Sequence, residues 1–118
     1  MGTPPPLRSA WLVSDGRVLA SADVAETRRS RRVGLLGKTT TDTALVITPC
    51  SWVHSLGMRF PLDVAYVDAQ GTVLRAARLS PWRVGPLVRG SHFVIEAKAG
   101  SFERWGLAPG DTVEVRSS

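Results

Sequence analysis

The chain is punctuated every few residues by glycine, proline or aspartate, and between these stops lie short runs suited to β-strands. Ala10-Trp11-Leu12-Val13 is followed by Ser14-Asp15-Gly16-Arg17, whose Asp-Gly pair suits a hairpin, and Arg17 to Ala20 returns as a second strand. Ala44-Leu45-Val46-Ile47 is a continuous apolar run stopped by Pro49. Leu62 to Val67 and Thr72 to Ala77 are joined by Asp68-Ala69-Gln70-Gly71, a second hairpin signal. His92 to Ala97 and Thr112 to Arg116 complete the series, the last entered through a Pro109-Gly110-Asp111 turn. Ser101 to Trp105 has room for one helical turn, and Leu79 to Gly90, with two prolines and two glycines, reads as a loop. One longer helix is expected from Asp23, because Glu26 three residues on forms a capping box; Gly34 or Gly37 would end it. Six or seven short strands with one main helix predict a compact α+β domain of mostly antiparallel sheet, closed or half-closed into a small barrel.

At 118 residues the chain makes one domain with a single core. Residues 1–9 read as a flexible lead-in because three consecutive prolines donate no backbone hydrogen bonds, and residues 10–116 form the domain. No apolar run approaches the ~20 residues of a membrane span, and residues 1–6 lack the basic and apolar regions of a secretory signal. With one cysteine no internal disulfide can form, so the expected location is cytoplasmic. The net charge of +5 is uneven: Arg28, Arg29, Arg31 and Arg32 crowd together on the expected helix, with Arg31 the one expected to turn inward. Such a patch attracts anions or nucleic acid, but no aromatic residues interleave with it and no nucleic-acid motif accompanies it, so nucleic acid is not the expected partner.

Four motifs in order and spacing carry a resemblance. They are Arg31-x-x-Gly34-Leu35-Leu36-Gly37-Lys38, His54-Ser55-Leu56-Gly57-Met58-Arg59-Phe60-Pro61-Leu62-Asp63-Val64, Val94-Ile95-Glu96-Ala97-x-Ala99-Gly100, and Gly106-Leu107-x-x-Gly110-Asp111. Over roughly residues 10 to 116 the chain resembles the prokaryotic "domain of unknown function 192" family. The resemblance implies a bacterial-type α+β domain rich in antiparallel strands and assigns no activity.

The residues that carry chemistry gather in Pro49 to Val64. Cys50, His54 and Met58 are soft-metal ligands four apart, but Pro49, Gly57 and Pro61 argue against a helix, and four strand residues span about 13 Å. No metal or cofactor is therefore expected. No local signature marks Cys50 as a nucleophile either, although His54 would complete a dyad and Asp63 would supply the group that orients its imidazole. Asp63, between Leu62 and Val64, and Glu96, between Ile95 and Ala97, are carboxylates on apolar strands that must be paired or hydrogen-bonded if buried. Each serves either as an acid–base group or as an anchor for backbone N–H groups, the second being favoured for Glu96. Trp52 and Trp82 sit where rings floor small-molecule sites, whereas Trp11, in the first strand, is expected in the core.

The leading expectation is a small binding or accessory domain, monomeric or weakly dimeric, with its enzymatic character left open. Its polar pocket of Trp52, His54, Met58, Arg59, Asp63, Trp82 and Glu96 would hold a small molecule or peptide. A hydrolase or isomerase using His54 and Asp63 as acid and base is the alternative, and nucleic-acid binding through the arginine helix the third. If His54 sits beside Asp63, the carboxylate favours imidazolium and raises the histidine pKa.

Overall fold

A computed structural model describes residues 8–26, 43–49, 60–80 and 85–118. The strands are β1 (Arg8–Ser14), β2 (Arg17–Ala25), β3 (Ala44–Ile47), β4 (Leu62–Val67), β5 (Val73–Leu79), β6 (Phe93–Lys98) and β7 (Glu114–Ser117); the one helix among the described residues is α1 (Ser101–Trp105). They form a mixed seven-stranded sheet in the order β5-β4-β6-β3-β2-β1-β7. Only β2 and β3 are parallel neighbours; every other adjacent pair is antiparallel. No helix among the described residues is long and apolar enough to cross a membrane.

Turn chemistry sets the two hairpins. Asp15 and Gly16 both take positive φ (55° and 74°), the combination a two-residue turn needs to match strand twist. In the β4–β5 turn the Asp68 carboxylate accepts from the amides of Gln70 and Thr72 at 3.0 and 2.8 Å. Gly71 follows at φ 88°, and a Cβ there would lie 2.6 Å from the carbonyl oxygen of Val113. Only glycine permits that approach.

Three sequence expectations are corrected. The strand β2 runs on through Asp23 to Ala25, so no helix starts at Asp23. Register with β3 (Ala22↔Ala44 to Ala25↔Ile47) keeps this segment extended, and Glu26 pairs at 2.9 Å with Arg8 instead of capping. The rest of the expected helix, with Arg28, Arg29, Arg31 and Arg32, lies outside the described residues. Trp11 is 44% exposed, because the alternation of β1 turns Ala10 and Leu12 to the core and Trp11 away from it. The sheet, finally, is open rather than a closed barrel. Among the described residues its two edge strands form no ladder and are stitched at one corner, by the Thr72↔Thr112 bridge and the flanking bonds between Val73 and Asp111 and between Val113 and Gly71.

Both faces of the central strands are buried. One face carries the main core: Leu12, Val24, Val46, Ala65, Val67 and Ile95, closed over by Phe102 and Leu107. The other carries Leu62, Val64, Tyr66, Leu79 and Val94, beside a smaller group of Ala25, Leu45 and Ile47. Phe60 and Val88 pack on that second face, and the Tyr66 hydroxyl donates to the carbonyl of Pro86 at 2.9 Å.

Candidate functional site

Of the residues the sequence singles out, Asp63 and Glu96 are described; Cys50, Trp52, His54, Met58, Arg59 and Trp82 lie outside the described residues. Both carboxylates are 4% exposed. Their strands are neighbours, yet they do not share a site. Across β4 and β6 the register aligns Asp63 with Ala97 and Val64 with Glu96. Residues side by side in a ladder project to the same face, so Asp63 and Glu96 project to opposite faces. The two do not form an acid–base pair with each other.

Asp63 lies on the main-core face at the end of β4. Its Oδ2 accepts the amide of Gly100 at 2.9 Å and that of Phe102 at 3.1 Å, and its Oδ1 accepts from the Arg78 Nε at 3.2 Å. Gly100, at the N-cap of α1, makes no side-chain capping bond. The carboxylate reaches over from β4 and does what a capping side chain does, binding orphan amides at the helix start. Arg78 is the partner sequence reasoning missed. It faces Asp63 directly across the β4–β5 hairpin, but the irregularity between Tyr66 and Val67 shifts the pairing, so a count outward from the turn misses it.

Glu96 stands in the middle of β6 on the opposite face, flanked across the ladders by Leu45 of β3 and Val64 of β4. In the same row, one strand beyond Leu45, stands Asp23 of β2. The residues nearest Glu96 on this face are apolar, with Asp23 farther along the row and Arg75 opposite Tyr66 toward the sheet edge. A separate hollow of about 260 Å³ lies by the β1–β2 turn, between Asp15, Arg17 and Asp111. Two of its polar groups are engaged: Arg17 donates to the carbonyl of Trp105, and Asp111 accepts from the Ala108 amide. Among the described residues no group of three or more metal-ligating side chains assembles.

No curated protein matches the chain. Two solved structures resemble it. A protein of unknown function from Novosphingobium aromaticivorans DSM 12444 superposes with a TM-score of 0.74 at 21% identity, over 96% of this chain and 93% of that one. The second is described as a "putative transcription regulator" from Sinorhizobium meliloti 1021, with a TM-score of 0.68 at 19% identity over 98% and 97% of the two chains. At such identities the likeness carries the fold alone. The family model of DUF192, described as an uncharacterized ACR, matches residues 10–115, and the chain belongs to that family.

Proposed function

We propose that this domain binds a small molecule or peptide over the Glu96 face of its sheet, with His54, Met58 and Arg59 as polar contacts and Trp52 and Trp82 at the rim. The observation that carries this reading is a buried carboxylate on the face against which Phe60 and Val88 pack. Two chain connections join β2 to β3 and β3 to β4; these strands run parallel, and both steps go the same way along the sheet. A third joins β5 to β6, which run the other way and step the other way. If right-handed, these connections would all cross one face. Phe60 at the end of the second and Val88 in the third pack on the Tyr66–Val94 group, which is the face of Glu96. The second connection carries Trp52, His54, Met58 and Arg59 in sequence, the third Trp82, and the first the arginine cluster.

The acid–base alternative loses support, because both oxygens of Asp63 are engaged on the other face. The regulator description of the Sinorhizobium structure remains that protein's own. Nucleic-acid binding by the arginine cluster would show as a steep salt dependence of affinity, and a flat titration removes it.

A thermal-shift screen of metabolites and short peptides tests the binding reading. Ligands that stabilise the wild type should lose their effect in Glu96→Gln and His54→Ala while keeping it in Arg78→Ala, which alters the other face. Hits indifferent to Glu96 and His54 would refute the site.

A further inference from the structure

The β5 edge is one border of the sheet, two strands from Glu96. Among the described residues β5 has no strand on its outer side. The carbonyl of Val67 accepts from His92, so residues 63, 65 and 67 of β4 address the β6 side by alternation. Residues 62, 64 and 66 therefore address β5, and their partners are Leu79, Ala77 and Arg75. That leaves Ala76 and Arg78 with N–H and C=O pointing outward. The edge already accepts backbone pairing at its near end, where Val73 donates to Asp111 at 2.8 Å and accepts from Gly110 at 2.9 Å. Beyond that point no described strand pairs with it.

Its surroundings are basic and apolar. Arg75 and Arg78 are exposed along the strand. Leu74 is 39% exposed, and a Cβ on Gly90 would touch it at 3.6 Å, which brings Arg89 and its loop beside the strand. In that loop Leu87 is 72% exposed. The carboxylate at this edge, Asp63, is buried and satisfied. We propose that the β5 edge, from Ala76 to Leu79, takes up an extended acidic segment of a partner protein as an eighth strand. The partner's backbone would bond Ala76 and Arg78, and its carboxylates would meet Arg75 and Arg89. Strand addition of this kind takes affinity from main-chain bonds and specificity from alternate side chains. A second copy of this chain fits less well, since pairing β5 with itself sets guanidinium groups against one another. A lipid surface offers anionic charge but no row of matching donors and acceptors for Ala76 and Arg78.

The test uses the full chain and a fluorescein-labelled peptide of alternating glutamate and valine, with an alternating lysine–valine peptide and phosphatidylglycerol vesicles as comparators. Saturable anisotropy with the glutamate peptide is expected, together with NMR shifts centred on the amides of Ala76 and Arg78. The pair Arg75→Glu and Arg89→Glu should weaken binding about tenfold or more, roughly the loss of one charge-assisted bond. Ala76→Pro should abolish it, and a circular-dichroism melt checks that each variant is folded. If Ala76→Pro fails to fold, the charge-reversed pair carries the test. Absent saturation, equal binding of the lysine peptide, or shifts away from β5 would each overturn the proposal. So would recruitment to vesicles through the same arginines without peptide binding.

Discussion

A carboxylate that accepts from two main-chain amides and a guanidinium can be taken apart by substitution, and the magnitudes separate its partners. The Arg78 side chain is 57% exposed, so its ion pair with Asp63 is worth little, and Arg78→Ala should cost less than about 1 kcal/mol. The amides of Gly100 and Phe102 are the larger stake. Asp63→Ala leaves both without an acceptor beside a buried helix start, at about 1–3 kcal/mol for each unsatisfied group. A total near 3 kcal/mol would lower the melting temperature by about 10 °C or more. Asp63→Asn keeps one acceptor oxygen and should fall between. Thermal melts of the three variants check the order, and an Asp63→Ala as stable as the wild type would contradict the anchoring role. Gly71 supplies a second residue-scale outcome. Gly71→Ala combines a φ of 88° with a Cβ 2.6 Å from a carbonyl oxygen, and backbone cannot yield as a side-chain tip can. The expected cost is about 2 kcal/mol or more, read by denaturant unfolding.

The strands of this protein were largely legible because their signals are local. β3 and β4 begin and end where the apolar runs do, and the Asp15-Gly16 turn has the geometry its sequence predicts. The five-residue helix α1 also falls on Ser101–Trp105 as expected. Two misreadings arose where a local signal met a tertiary one. The Asp23-x-x-Glu26 pattern is as good a capping box as the sequence contains, but parallel pairing with β3 holds those residues in a strand. Trp11 is large and apolar, but strand alternation, not hydrophobicity, decides which face it takes. For the site, burial of Asp63 and Glu96 was readable from their apolar neighbours, whereas their separation onto two faces was not. That depends on the register of β4 against β6, strands joined by a long excursion through β5, and no local pattern encodes it. At this scale the β6 core is the sensitive element. Ile95 is fully buried on the main-core face, and Ile95→Ala should cost about 2–5 kcal/mol with the Glu96 face left intact.

One side of the open sheet is built from strands far apart in sequence. β1 lies between β2, its hairpin partner, and β7, which arrives from the far end of the chain with Ala10 opposite Ser117 and Val13 opposite Glu114. The β1–β2 pairing needs only a two-residue turn, whereas β1–β7 needs the ends of the entire domain brought together. Contacts so distant in sequence make folding slow, in the range of milliseconds to seconds for β-rich domains. The C-terminal strand is also the most weakly buried, with Glu114, Arg116 and Ser117 exposed and Val115 half-buried against the main core. An element that gains little by docking early and costs much chain entropy to dock should join after the rate-limiting step. Val115→Ala, at about 1 kcal/mol, should therefore speed unfolding and leave the folding rate nearly unchanged, a φ-value near zero. Leu12→Ala, in the strand β7 docks against, provides the comparison, because Leu12 is 0% exposed and its hairpin can form locally. Its φ-value should be clearly larger. Stopped-flow refolding of both variants measures the two, and a Val115 φ-value equal to that of Leu12 would mean that the ends of the chain meet before the barrier rather than after it.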